Sequence, residues 1–323
     1  VTHAAVSRYE NGERELDAPA LHAVADALRV TPEFLKAGQG LEGPIAIDAH
    51  MRRRATSKVS DWRRAEAQVN LLWLQANKVA EATDMTPKLM LPVVDPFDTS
   101  PEEAARLTRG QWHMPLGPVR GLTRWVEAAG VFIIVRDLGT PRIDGMSQRR
   151  GAVSVILLNS TAPVDRRRLT LAHELGHLVL HGEYAEPDME AQANQFAAEL
   201  LMPEAAIKPF LHDLTLARLE ALKLEWGVSM QALIQRAVAL KTMDRPRQTA
   251  LYKQLSSRGQ RVREPGSDRL PDEPPQMIGD LAASLRSRGV PDARIKALTG
   301  ITDYQHPASL FPPPPRPPLS RVK

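Results

Sequence analysis

His173, Glu174 and His177 stand at the spacing that a metal site on a single helix requires. Positions i and i+4 of an α-helix share a face, so the two imidazoles converge on one ion with Glu174 beside it. A metal held by protein ligands and one water lowers the pKa of that water to about 7. A neighbouring carboxylate can then take the proton and direct hydroxide at a peptide carbonyl. The flanks agree with this reading. Leu169-Thr170-Leu171-Ala172 precedes the motif and Leu178-Val179-Leu180 follows it, which predicts a helix buried on its remaining faces. Burying two histidines and a glutamate in such a helix is expensive without a cation. Gly176 lies inside the helix, where glycine costs about 1 kcal/mol against alanine, and this predicts close approach of another element.

A third protein ligand is needed, and Glu183, Glu186, Asp188, Glu190 and His181 are the residues on offer. The segment around Gly182 and Pro187 reads as a turn that ends one helix and opens the next. Glu190 lies in the first turn of that second helix, at the head of the small-residue series Ala193, Asn194, Ala197 and Ala198, which allows close helix packing. Glu190 is the first choice as ligand. Asn194, one turn further along the same face, is a partner for a ligating histidine, and His181 extends the row of His173 and His177.

The run from Thr170 to His181, followed by Glu190 to Pro203, resembles the ImmA/IrrE metallopeptidases, bacterial and phage zinc proteases that cleave transcriptional repressors. The resemblance is specific over about Gly130 to Pro203. It implies a zincin-like core with Zn2+ held by His173, His177 and Glu190, and with Glu174 as general base.

Upstream, Val131–Val135 is β-branched and apolar, a buried strand. Residues 143–147 and 153–159 flank the basic, glycine-containing Gln148–Gly151, which signals a hairpin. We expect Val153–Asn159 to be an edge strand that pairs with an extended substrate.

The first forty residues carry a second signal. Thr2 to Gly12 reads as a short helix closed by glycine, Asp17 and Pro19 open an amphipathic helix with Leu21, Val24, Ala25 and Leu28 on one face, and Val30–Leu35 begins a third. Ser7-Arg8-Tyr9-Glu10-Asn11-Gly12 resembles the close of the recognition helix in XRE-type helix-turn-helix domains. The helices that precede that helix in the family are missing and residue 1 is Val, so the sequence reads as starting inside the domain, with much of its core lost. The resemblance implies an operator-binding module. Thr2, His3, Ala4 and Arg8 would face base edges, and Ser7, Asn11 and Arg14 would face phosphates.

The 323-residue chain has room for about two domains. It contains no cysteine, which excludes a disulfide framework and a thiolate zinc site. No apolar run approaches a membrane span and no signal peptide is visible, so the chain reads as cytoplasmic, with no membrane partner. A net charge of +4 is too small to argue for nucleic acid by itself. Basic clusters at Arg52–Arg54, Arg63–Arg64 and Arg166–Arg168 are more pointed, and the first two adjoin the helix-turn-helix.

The resulting layout is α+β. Residues 1–40 are a partial helix-turn-helix and 41–115 a helical connector. The connector contains a long helix from Val59 to Thr83, suited to a homodimer, with Trp62, Val69, Leu72 and Trp73 as anchors. Residues 116–205 form the metallopeptidase core, and 206–258 a helical pair at Leu214–Leu224 and Ser229–Leu240 with Ser229 as N-cap. Residues 259–323 form a proline-rich, partly disordered tail with helices at Ile278–Arg288 and Asp292–Leu298 and a polyproline segment at 312–318. Two functions fit. One is a DNA-binding regulator whose zinc endopeptidase cleaves a repressor, an antitoxin or itself. The other is a non-proteolytic regulator or antitoxin that uses the domain as a sensor or partner-binding module.

Overall fold

The computed structural model describes residues 2–37, 58–83, 85–181, 188–304, 306 and 309–311. The basic cluster at 52–54, the acidic residues Glu183 and Glu186 and the polyproline segment lie outside them, as does the side chain of His3. In chain order the helices before the sheet are α1 (His3–Glu10), α2 (Ala18–Leu28), α3 (Pro32–Ala37), α4 (Val59–Thr83), α5 (Pro101–Gln111) and α6 (Leu122–Ala128). The strands are β1 (Val131–Arg136), β2 (Gly145–Arg150) and β3 (Val153–Asn159). Then come α7 (Val164–Leu180), α8 (Met189–Leu201), α9 (Glu204–Ile207), α10 (Leu216–Trp226), α11 (Met230–Ala239), α12 (Arg245–Ser257), α13 (Met277–Ser287) and α14 (Asp292–Thr299). The fold is α+β. No helix among the described residues is long and apolar enough to cross a membrane.

The described residues divide into two compact units. One gathers residues up to 37, 71–85 and 276–311. In it Thr2 caps α1 by accepting from Ala5 N at 3.3 Å, and Asp17 caps α2 by accepting from Ala20 N at 2.8 Å. Leu21 and Ala25 of α2 are buried, but Leu28 is 50% exposed and leaves the apolar face assigned to it, because the chain turns at Arg29 in the left-handed conformation. Ala25, Val30 and Phe34 pack on Ile301, from the far end of the chain. The backbone ties the two ends together: Thr31 N donates to Gly300 O at 2.8 Å, Thr302 N donates to Arg29 O at 3.0 Å, and Val30 bridges Ile301. Gly300 has φ +71°, and a Cβ there would overlap the Phe34 ring. The tail that reads as proline-rich and partly disordered thus supplies core to the amino-terminal helices.

The second unit gathers residues 58–70 and 86–275 and holds the sheet. The strand order is β1-β3-β2, with β1 parallel to β3 from Val131↔Ser154 and β2 antiparallel to β3 from Gly145↔Leu158. This corrects the expectation for Val153–Asn159. β3 is the central strand, with both edges occupied, and cannot receive a peptide. Its apolar run is buried at every position, as a strand covered on both faces requires. Among the described residues β2 is an edge, and its Arg149 and Arg150 are the charges that edge strands carry.

Helix α7 lies on this sheet. Gly145 makes that possible, since a Cβ there would sit 2.7 Å from Thr170 Cγ2. α8 packs along α7 at equally close range: a Cβ on Gly176 would sit 3.0 Å from Phe196 Cδ1 and 3.3 Å from Ala193 Cα. The helical pair α10 and α11 closes the unit, with Ser229 Oγ capping α11 through Ala232 N at 3.0 Å.

Candidate metal centre

From Leu169 onward helix α7 is apolar outside one polar stripe. His173 is half-buried, while Glu174, His177 and His181 are buried to 2% exposure. Close packing at Gly176 brings the first turn of α8, with Glu190, alongside that stripe. His177 Nε2 lies 3.0 Å from His173 Nε2, 3.2 Å from Glu190 Oε1, and His173 Nε2 lies 3.5 Å from Glu190 Oε2. Donors of a tetrahedral zinc with bonds of about 2.0–2.1 Å lie about 3.3 Å apart. The three side chains form a group able to hold a metal, with ligand atoms within 4.8 Å of one another.

The hydrogen bonds outside the triangle fix what each imidazole presents. His173 Nδ1 lies 3.1 Å from Asn194 Oδ1, an acceptor, so the neutral ring carries its proton there and Nε2 keeps a lone pair. His181 Nε2 donates to Gln192 Oε1 at 2.7 Å, which leaves His181 Nδ1 to accept. His177 Nδ1, 2.9 Å away, donates to it, and its own Nε2 is also bare. Two lone pairs 3.0 Å apart beside a carboxylate repel one another unless a cation lies between them. The donor set therefore fits a divalent metal. Protons can take the place of the cation: burial pushes the Glu190 carboxyl up, but with His173 and His177 protonated their hydrogen bonds and charge outweigh it and hold the group well below the usual carboxylate range.

A cavity of about 330 Å³ opens on this group, walled by His173, Glu174 and Glu190 with Thr170, Arg166 and Gly145. Ser147 Oγ of β2 donates to Glu174 O at 3.4 Å and helps seat the helix on the strand. Arg166 pairs with Asp144 at 2.7 Å on the rim, Arg167 with Asp272 at 2.5 Å, and Arg168 with Glu273, so this basic cluster is engaged in structural ion pairs.

Residues 126–238 match the family of IrrE N-terminal-like domains. This part of the chain is similar to the IrrE N-terminal-like domain. The IrrE-like domain holds the sheet, α7, α8 and the helical pair, and residues 1–35 match the helix-turn-helix family. The chain is 32% identical over 160 residues to the radiation response metalloprotease IrrE of Deinococcus radiodurans, covering 41% of this chain and 45% of that protein. It therefore spans less than half the length of this relative. The chain joins a segment similar to helix-turn-helix domains to one similar to the IrrE N-terminal-like domain.

The structure also locates the other residues singled out in the sequence. Asp188 is the exposed N-cap position of α8 and stands outside the metal-competent group. Thr2, Ala4, Arg8, Asn11 and Arg14 are exposed and Ser7 is half-buried. Thr2 spends its hydroxyl on the cap of α1, and Asn11 Nδ2 reaches Ser7 Oγ at 3.5 Å, while Arg14 lies over the Tyr9 ring. Gln192 escaped the sequence reading. Its signal is only its place on α8, two residues past Glu190, which no helical periodicity connects to His181.

Proposed function

We propose that this chain is a DNA-tethered zinc endopeptidase that cleaves a regulatory protein, a repressor, an antitoxin or the chain itself, in the cytoplasm. The observation that carries the proposal is the His173–His177–Glu190 triangle, with buried Glu174 on the wall of the same cavity. Zinc held there by His173, His177 and Glu190 supplies Lewis acidity and makes water acidic near neutral pH. Asn194 and His181 hold the imidazoles by their outer nitrogens and keep the inner lone pairs turned toward the ion. Glu174 accepts the proton of the attacking water and returns it to the leaving amine. β2, which ends the sheet among the described residues, is the strand beside which an extended peptide would add. The helix-turn-helix places the enzyme at an operator, through the exposed face of α1.

The test is co-expression of the chain, or its Glu174→Gln variant, with the proteins encoded beside it, followed by mass spectrometry for new termini. Cleavage of one specific partner by the wild type and none by Glu174→Gln is expected. Identical promoter control by both, with no new termini under stress, overturns the proteolytic reading in favour of a sensor.

A further inference from the structure

Trp62 lies far from the metal-site motif in sequence, on the helix that reads as a connector. α4 carries a buried stripe through Trp62, Ala65 and Val69, and its first turns belong to the same unit as the IrrE-like domain. Successive β2 residues face opposite ways. Ser147 faces α7, and Gln148 on the other face has its amide within 2.9 Å of Asn70 Oδ1, once oriented so that its nitrogen donates. Eight residues earlier, about 12 Å along the helix, Trp62 forms part of the wall of the metal-site cavity together with His173, Glu190 and Thr170.

The residue is only 6% exposed, and its indole Nε1–H has no hydrogen-bond acceptor among the described residues. A buried donor without an acceptor is costly, and such groups cluster where a ligand completes them. Apolar packing alone would be served as well by Phe, which has no N–H to strand. An indole N–H can only donate, so its complement is an acceptor. In a peptide the acceptor present at every residue is the backbone carbonyl, and an extended chain paired to a strand on one side turns every second carbonyl away from it.

We propose that Trp62 is a substrate-binding residue whose Nε1–H donates to a backbone carbonyl of the peptide lying in the cavity, so that the helix before the IrrE-like domain completes its substrate site. This rests on the metallopeptidase reading. It assigns selectivity for an extended, unblocked peptide backbone to a residue outside the segment that matches the IrrE-like family.

The experiment uses the full zinc-loaded chain and two probes, acetohydroxamate and Ala-Ala-Ala-hydroxamate. Both chelate zinc, and only the second has further backbone carbonyls. Trp62→Phe keeps the ring and removes the donor. It should weaken binding of the tripeptide probe about fivefold, the scale of one buried hydrogen bond. It should leave acetohydroxamate affinity, zinc content and melting temperature unchanged. Trp62→Ala should weaken the tripeptide probe further. Equal affinity of wild type and Trp62→Phe for the tripeptide probe overturns the proposal, as does tighter binding by either variant, which would mark Trp62 as a plug. If wild type holds zinc and binds acetohydroxamate, the metal reading stands whatever Trp62 does. If it does neither, both fall.

Discussion

The Nδ1 atoms of His177, in the last turn of α7, and His181, its C-cap, lie 2.9 Å apart. Only one of them can hold the shared proton, and Gln192 decides which by accepting from the far side of His181. His181→Ala or Gln192→Leu should therefore lower zinc affinity by about 10–100-fold with the fold intact, the usual scale for groups that orient a ligating histidine. Competition titration against a chromogenic chelator measures this. Unchanged affinity in both variants would show that the ring of His177 is held by packing alone.

Zinc should be present at about one per chain, measured by inductively coupled plasma mass spectrometry. His173→Ala, His177→Ala and Glu190→Ala should each lose it, since three protein ligands bind far better than two. Glu174→Gln should keep it. Removing the metal with a chelator should lower the melting temperature, because binding to the folded state alone stabilises it by mass action. Full zinc retention by Glu190→Ala would move the third ligand elsewhere.

The contact between α7 and α8 can be tested at its narrowest point. Gly176→Val would push two methyl groups into Phe196 and Ala193, where even a Cβ is already at 3.0–3.3 Å. Overpacking of this kind costs about 1–3 kcal/mol. Zinc affinity should fall with it, because Glu190 reaches the histidines only through that contact. A denaturation series with parallel zinc titration checks both effects.

Lys223 is fully buried, with Nζ 2.7 Å from Asp165 Oδ2, 2.9 Å from Glu264 Oε2 and 2.8 Å from Ser267 Oγ. Glu264 in turn accepts from Met230 N at 2.6 Å and Gln231 N at 3.1 Å, at the start of α11. The lysine thus joins the first turn of α7 to the helical pair. Lys223→Met leaves two buried carboxylates without their cation and should cost about 3–5 kcal/mol in urea denaturation. A loss under 1 kcal/mol would mean that water reaches the carboxylates.

DNA binding by α1 should depend on Arg8, which is exposed on its last turn. Arg8→Ala should weaken binding to an operator selected from a random duplex library by about 1–3 kcal/mol and relax specificity at the contacted base. Electrophoretic mobility shifts at fixed salt read this out. A uniform loss on all sequences would instead make Arg8 a phosphate contact.

The spacing of His173, Glu174 and His177 by itself determined a helix with one polar stripe, because a helical period has one solution for i and i+4. The small residues after Glu190 announced a second helix packed close to it, and Gly176 announced the same contact from the other side. Ser229, Asp17 and Thr2 marked helix starts because capping is a local matter of one side chain and one backbone N–H.

Strand order is not local. Val153–Asn159 reads equally well as an edge or a centre, and only pairing on both sides made it central and left β2 as the edge. Nor did any periodicity connect Gln192 to His181, Trp62 to the cavity, or Ile301 to Phe34. Those contacts join residues separated by 11, 80 and 267 positions or more, and their formation depends on how whole elements pack rather than on any pattern within one of them.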